Sequence, residues 1–196
     1  MFINISLLKK FMVNAYKGSG IRIGHKDEGY IIVTSTWGLW LEEENTPNKV
    51  KALIMELAGT LPQEDTIFIV SKEKPIPQLE FDFNAAFHIN QFYRNAASPV
   101  TVTNVMLDKK HGIYRLFQIN STKDFMFMNQ MYLDLIDLGE MDTNVENTPA
   151  GPCTNKSGNI FYWGNAVCTL YLCGYEVTSE DSIVQALGHI NFEEEM

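Results

Sequence analysis

"DEGYIIVTSTWGLWLEEE", residues 27–44, is the stretch whose reading decides the fold. Two apolar runs, YIIV and WGLWL, meet at Thr34-Ser35-Thr36, and Glu42, Glu43 and Glu44 close the stretch. Short runs of β-branched and aromatic residues bounded by turn formers read as strands. Lys26-Asp27-Glu28-Gly29 reads as the turn that leads into them from a preceding strand, IRIG. Three strands in a row therefore sit between two segments with helical spacing.

Upstream, MFINI reads as a short strand. Ser6 stands where an N-cap belongs, before LLKKFMVNAY. Leu7, Leu8, Phe11, Met12 and Ala15 share one helical face, and Lys9, Lys10 and Lys17 fall together on the other. Gly18-Ser19-Gly20 stops this helix. Downstream, Thr46 reads as the cap of a second helix, with Pro47 in its first position and Gly59 its stop. Val50, Leu53, Ile54, Leu57 and Ala58 form the buried stripe, flanked by Lys49 and Lys51. Strands TIFIVS and QLEFDF follow, joined through residues 72–77.

Residues 1–84 thus form one α+β half, and 85–97 a connector. The second half, 98–196, opens with strands VTVTNVMLD and IYRLFQI around a turn at Lys109–Gly112. Ser121 or Thr122 then caps a third helix, with Phe125, Met128, Tyr132, Leu135 and Ile136 on one face. Residues 139–158, rich in Asn, Thr, Pro and Gly, read as the longest loop. NIFYW and AVCTLYLCGYEV give further strands, and Ser179 caps a last helix with Ile183, Ala186, Leu187 and Ile190 on one face. The fold class expected is α+β: two halves, each an antiparallel sheet with helices packed on one face.

The chain has 196 residues, 45% of them hydrophobic and 20% charged, the composition of a soluble globular protein. No apolar run approaches the roughly 18 residues needed to span a membrane, and the N-terminal stretch has neither the basic start nor the cleavage site of a signal peptide. Three cysteines, odd in number, argue against a disulfide scaffold and for a reducing, cytoplasmic setting. The net charge of −9 is concentrated in residues 124–196, where Lys156 stands alone against twelve acids. An acidic surface repels phosphate, so nucleic acid would have to meet the first two thirds.

The search for chemistry finds no catalytic constellation, no cofactor motif and no metal set. His25, His88, His111 and His189 are scattered. Cys168 and Cys173, five apart in one strand, point to opposite faces. Gly18–Gly24 mimics a phosphate loop but follows a helix and opens a strand, the reverse of the nucleotide-binding order. Asp134/Asp137 and Glu140/Asp142 read as a solvated face. Trp37 and Trp40 are candidate anchors for a protein partner.

The order strand, helix, IRI, acidic turn, DEGYIIVTSTWGL and a further strand resembles the domain of a DNA sliding clamp, a polymerase processivity factor. Residues 49–71, KVKALIMELAGTLPQEDTIFIVS, are similar to that family's following unit, a helix ending in Leu-Pro (here Leu61-Pro62) and a strand. The resemblance covers residues 1–83 and extends to 98–177 as an order of elements. It implies a ring of repeated domains without catalytic residues, with helices that touch DNA phosphates through lysines and subunits joined sheet edge to sheet edge. Lys9, Lys10, Lys17, Lys49, Lys51 and Lys123 are then the DNA-contact candidates.

The expectation is a non-catalytic clamp-like module. It needs no cofactor or metal, docks on partners and touches the DNA backbone weakly and without regard to sequence. A homo-oligomer is implied and a membrane is not. Two alternatives stay open: a protein–protein interaction module without DNA binding, and a small metal-dependent enzyme built from the acidic C-terminal third.

Overall fold

The computed structural model describes residues 1–74, 76–80, 88–155, 158–176, 186–187 and 190–193. Its frame is one antiparallel sheet of twelve strands, so the protein is α+β. In chain order the elements are α1 (Ile5–Lys17), β1 (Ile21–Lys26), β2 (Gly29–Val33), β3 (Trp37–Glu42), α2 (Asn48–Ala58), β4 (Thr66–Val70) and β5 (Gln78–Glu80). Then come α3 (Ile89–Asn95), β6 (Ser98–Lys109), β7 (Gly112–Ile119), β8 (Phe125–Asn129) and the single turn α4 (Gln130–Leu133). The chain continues through β9 (Ala150–Thr154), β10 (Ile160–Gly164), β11 (Cys168–Cys173) and β12 (Tyr175–Glu176).

The opening stretch forms β2 and β3, and every residue from Gly29 to Leu41 on these two strands is buried. YIIV and WGLWL do not alternate apolar with polar because both of their faces are covered, which is how doubly buried strands read. Tyr30 and Ile32 face one core, and Ile31 and Val33 the other. The β1–β2 turn has Asp27 and Glu28 at φ 53° and 60°, the left-handed pair of a two-residue hairpin loop. It sets His25 opposite Tyr30. Trp40 fastens it, its indole Nε1 donating to the Lys26 carbonyl at 3.1 Å.

β3 pairs with β11, Trp37 opposite Leu172 and Leu41 opposite Cys168. The strands of residues 21–80 and those of 98–176 therefore belong to one sheet. Its order is β12-β8-β7-β6-β9-β10-β11-β3-β2-β1-β4-β5. The first face carries the main core: Leu8, Phe11 and Met12 of α1 and Val50, Leu53, Ile54 and Ala58 of α2, against Ile23, Ile32, Leu39, Leu170 and Phe161. The other face is covered at its centre by α3, through Ile89, Phe92 and Tyr93, against Ile31, Trp40, Tyr162 and Tyr171. Helices thus lie on both faces and not on one, because β2, β3 and β11 are apolar on both sides and need two covers. The segment 85–97, expected as a connector, contains that second cover. Cys168 and Cys173 point to opposite faces as their spacing requires.

Other departures are local. Asn4 and not Ser6 caps α1, its side chain accepting from the Leu7 amide at 3.0 Å, and of MFINI only Ile3 makes a bridge, to Ile136. Pro47 takes the cap position of α2. Thr46 is buried beneath it and donates its hydroxyl to the Glu42 carbonyl at 2.7 Å. Gly59, at φ 77°, stops α2 as expected. The third helix expected from Ser121 or Thr122 is instead strand β8. Phe125 and Phe127 face one way, Met126 and Met128 the other, and pairing with β7 outweighs the helical spacing of the same residues. The loop 139–158 contains β9, which joins β6 to β10. Residues 81–83 of QLEFDF, and Ser179 and Ile183 of the last expected helix, lie outside the described residues. Among the described residues no helix is long and apolar enough to cross a membrane.

Candidate functional site: a lysine-bearing helix pair over a buried histidine

Helices α1 and α2 lie side by side on the main-core face, and each turns its polar side outward. Lys9, Lys10 and Lys17 of α1 and Lys49 of α2 are exposed, and Lys51 is half-buried. Lys9 reaches across to Glu56 of α2, with Nζ 4.0 Å from the carboxylate. Lys51 lies over the Tyr30 ring, its ammonium 5.8 Å from the centroid. α1 holds three lysines and no acid, α2 two lysines and one glutamate, so the pair carries a net charge of +4 in a chain of net charge −9. The remaining candidate, Lys123, is not part of this surface. It sits in the β7–β8 turn, far along the sheet order, where its ammonium binds Asn191 at 2.8 Å and Glu193 at 3.2 Å. Glu193 neutralises it there.

Trp37 and Trp40 are both buried. Trp37 packs beside Phe11 in the main core, and Trp40 on the opposite face closes the hairpin turn. As core residues they offer a partner little surface. Among the described acids of the C-terminal third, Asp134 accepts from Gln130 at 2.8 Å and Asp137 from the Gly139 amide at 2.9 Å. No group of three metal-ligating side chains converges among the described residues.

Beneath α2 lies a cluster that the sequence reading missed. His25, at the end of β1, is buried. Its Nε2 is 3.1 Å from Glu43 Oε2, and its Nδ1 lies against Glu64 Oε2, close but not aligned as a hydrogen bond. The Tyr30 hydroxyl donates to the other oxygen of Glu43 at 3.1 Å, and the Tyr30 ring meets the imidazole edge-on at 5.0 Å. Burial, then the bond to Glu43, pushes the Tyr30 phenol up to about 12. The same bond holds the Glu43 carboxyl below its ordinary range, with His25 assisting against desolvation. Beside the cluster, Lys26 Nζ pairs with Asp65 at 2.6 Å, and the Asp65 amide donates to the His25 carbonyl at 3.0 Å. The closing glutamates of residues 42–44 therefore do more than solvate a turn: Glu43 reaches back over the hairpin to its histidine and tyrosine. The available signal was register. A two-residue turn at Asp27-Glu28 places His25 opposite Tyr30, and β2–β3 pairing brings Glu43 alongside.

No protein-family model, curated protein or solved structure matches the chain.

Proposed function

We propose that this protein is a non-catalytic docking module of clamp-like build, whose α1–α2 surface meets the phosphate backbone of DNA without reading its sequence. The observation that carries the reading is the convergence of Lys9, Lys10, Lys17, Lys49 and Lys51 on one helix pair in an otherwise acidic chain. Supporting it, these two helices are the ones that the clamp resemblance assigns to DNA. Lysine ammoniums act there as point charges that displace counterions, so binding is weak and salt-sensitive. Ring closure, which the resemblance implies, would use the two ends of the sheet order, β5 and β12.

The test is retention of a duplex DNA across a salt series, read by fluorescence anisotropy. With five lysines available, the slope of log affinity against log salt should be no steeper than about −4 to −5. Lys9→Glu with Lys10→Glu should lower retention by at least about tenfold at low salt and leave the melting temperature within a degree or two, since exposed charges contribute little to stability. Retention unchanged by the double substitution, or no retention even at low salt, would overturn the reading. Sedimentation velocity over a hundredfold concentration range tests the ring: a species stable to dilution supports it, and a monomer removes encirclement.

A further inference from the structure

The geometry points to a proton-operated latch on α2, in which protonated His25 ties together the two loops that bracket this helix. Glu43 lies five residues ahead of α2 and Glu64 six residues behind it, and both carboxylates approach the one imidazole from opposite ring nitrogens. Only the imidazolium has a proton on each nitrogen. A neutral ring can donate to one carboxylate and must turn a lone pair toward the other, which is repulsive where the buried imidazole meets it. Both glutamates are about half exposed, 51% and 52% of their side chains, so the rejected one can swing into solvent without leaving a buried charge behind.

The two arms are unequal. Glu43 is fixed from its far side by the Tyr30 hydroxyl, and its amide is held by the Glu28 carbonyl at 2.9 Å. Glu64 approaches Nδ1 without hydrogen-bond alignment and feels Lys26 at longer range, and the neighbouring Lys26–Asp65 pair keeps its loop near. Deprotonation therefore lets go of Glu64. The groups that face His25 are Tyr30 from β2, Glu43 from the β3–α2 turn, Glu64 from the α2–β4 connection and, behind Tyr30, Lys51 of α2, with Lys26 and Asp65 alongside. Between pH 5.5 and 8, Tyr30 keeps its proton and Glu43 stays ionised. The latch stands on this geometry alone. That it tunes DNA contact, by holding or freeing the helix that bears Lys49 and Lys51, rests on the function proposed above.

The experiment is amide hydrogen exchange on the intact chain without DNA, at pH 5.5 and pH 8, corrected for intrinsic exchange rates. Residues 61–65, where the Asp65 amide donates to the His25 carbonyl, should lose about two- to fivefold of their protection at the higher pH, the scale of one half-exposed ion pair. His25→Gln should abolish that difference. Should this variant fail to fold, Glu64→Gln serves, since a neutral amide can meet either form of the ring and should make protection of 61–65 independent of pH. Equal protection of the wild-type loops at the two pH values, or a pH difference that survives Glu64→Gln, would overturn the latch. DNA retention measured in parallel separates the two ideas. Exchange that responds to pH without any retention keeps the latch and removes the DNA role, and lysine-dependent retention without an exchange response does the reverse.

Discussion

The two faces of the central strands are packed by different means. On the main-core face, α1 and α2 press aliphatic and aromatic side chains into a cluster that runs from Met1 to Leu172, where the buried Met1 amino group pairs with Glu146 and the Tyr30 hydroxyl donates to Glu43. On the opposite face, α3 seats its side chains among tyrosines and a threonine: Tyr93 donates to the Gly164 carbonyl at 3.1 Å, and Thr169 donates to Asn90 at 2.6 Å. There the aromatic rings lie directly on bare backbone, Tyr171 over Gly38 and Tyr93 over Gly164, leaving no room for a Cβ at either glycine. The first face is thus packed mainly by volume, and the second adds side-chain hydrogen bonds and close approach at Gly38 and Gly164. A substitution that removes volume should injure the first most, and one that adds a single methyl group the second.

The largest effect is expected from Phe161→Ala. Phe161 is fully buried on the main-core face and meets Phe117 edge-on at 5.2 Å. Its removal should lower unfolding free energy by about 3–5 kcal/mol in urea titration. A loss under about 1 kcal/mol would mean that the core can collapse around the gap, and the contrast between the faces would fail. Next comes Gly38→Ala on the opposite face. The added methyl group must displace the Tyr171 ring, which cannot move freely beneath α3, at a cost of about 1–3 kcal/mol. If the cause is that ring, Tyr171→Leu in the same molecule should recover part of the loss, a coupling that a double-mutant cycle measures. Independent, additive losses would place the damage in the backbone of β3 instead.

The same contrast explains what the sequence made legible. Elements with one strong face and clear punctuation were readable: the stripe of α2 from Val50 to Ala58, its Gly59 stop, the β1–β2–β3 run. Position in the sheet was not. Nothing local in WGLWL says that β3 will pair with β11, more than a hundred residues on, and so lie at the sheet centre where α1 covers Trp37 and α3 covers Trp40. Phe125 to Met128 fit two periods at once, and only a neighbouring strand decides between them. The lysines of α1 and α2 were readable because they depend on helical spacing alone. Lys123 was misplaced because its surroundings are set by Asn191 and Glu193, about seventy residues away. His25 with its two glutamates was hidden for the same reason, as the three come from β1, the β3–α2 turn and the α2–β4 connection.

The smallest effect sharpens the comparison at the level of single hydroxyls. Tyr30 on the main-core face is held up by burial and then by Glu43, whereas Tyr162 on the opposite face is pushed up to about 12 by burial first, with Cys173 and Cys153 adding to it. A phenol whose pKa is higher in the folded than in the unfolded chain, where it is about 10, keeps a proton that the unfolded chain releases. Its contribution to stability is therefore fully present below pH 10 and is lost as pH rises from 10 toward 12. Tyr30→Phe should cost about 1 kcal/mol at neutral pH, the worth of one hydrogen bond to a carboxylate less its solvent share. It should also make the alkaline decline shallower between pH 10 and 12 without abolishing it, because Tyr162 and Tyr171 still titrate upward on the other face. Urea midpoints measured at half-unit steps across that range decide the matter. An alkaline decline identical in wild type and variant would mean that Tyr30 releases its proton as readily folded as unfolded, and that the bond to Glu43 does not hold it.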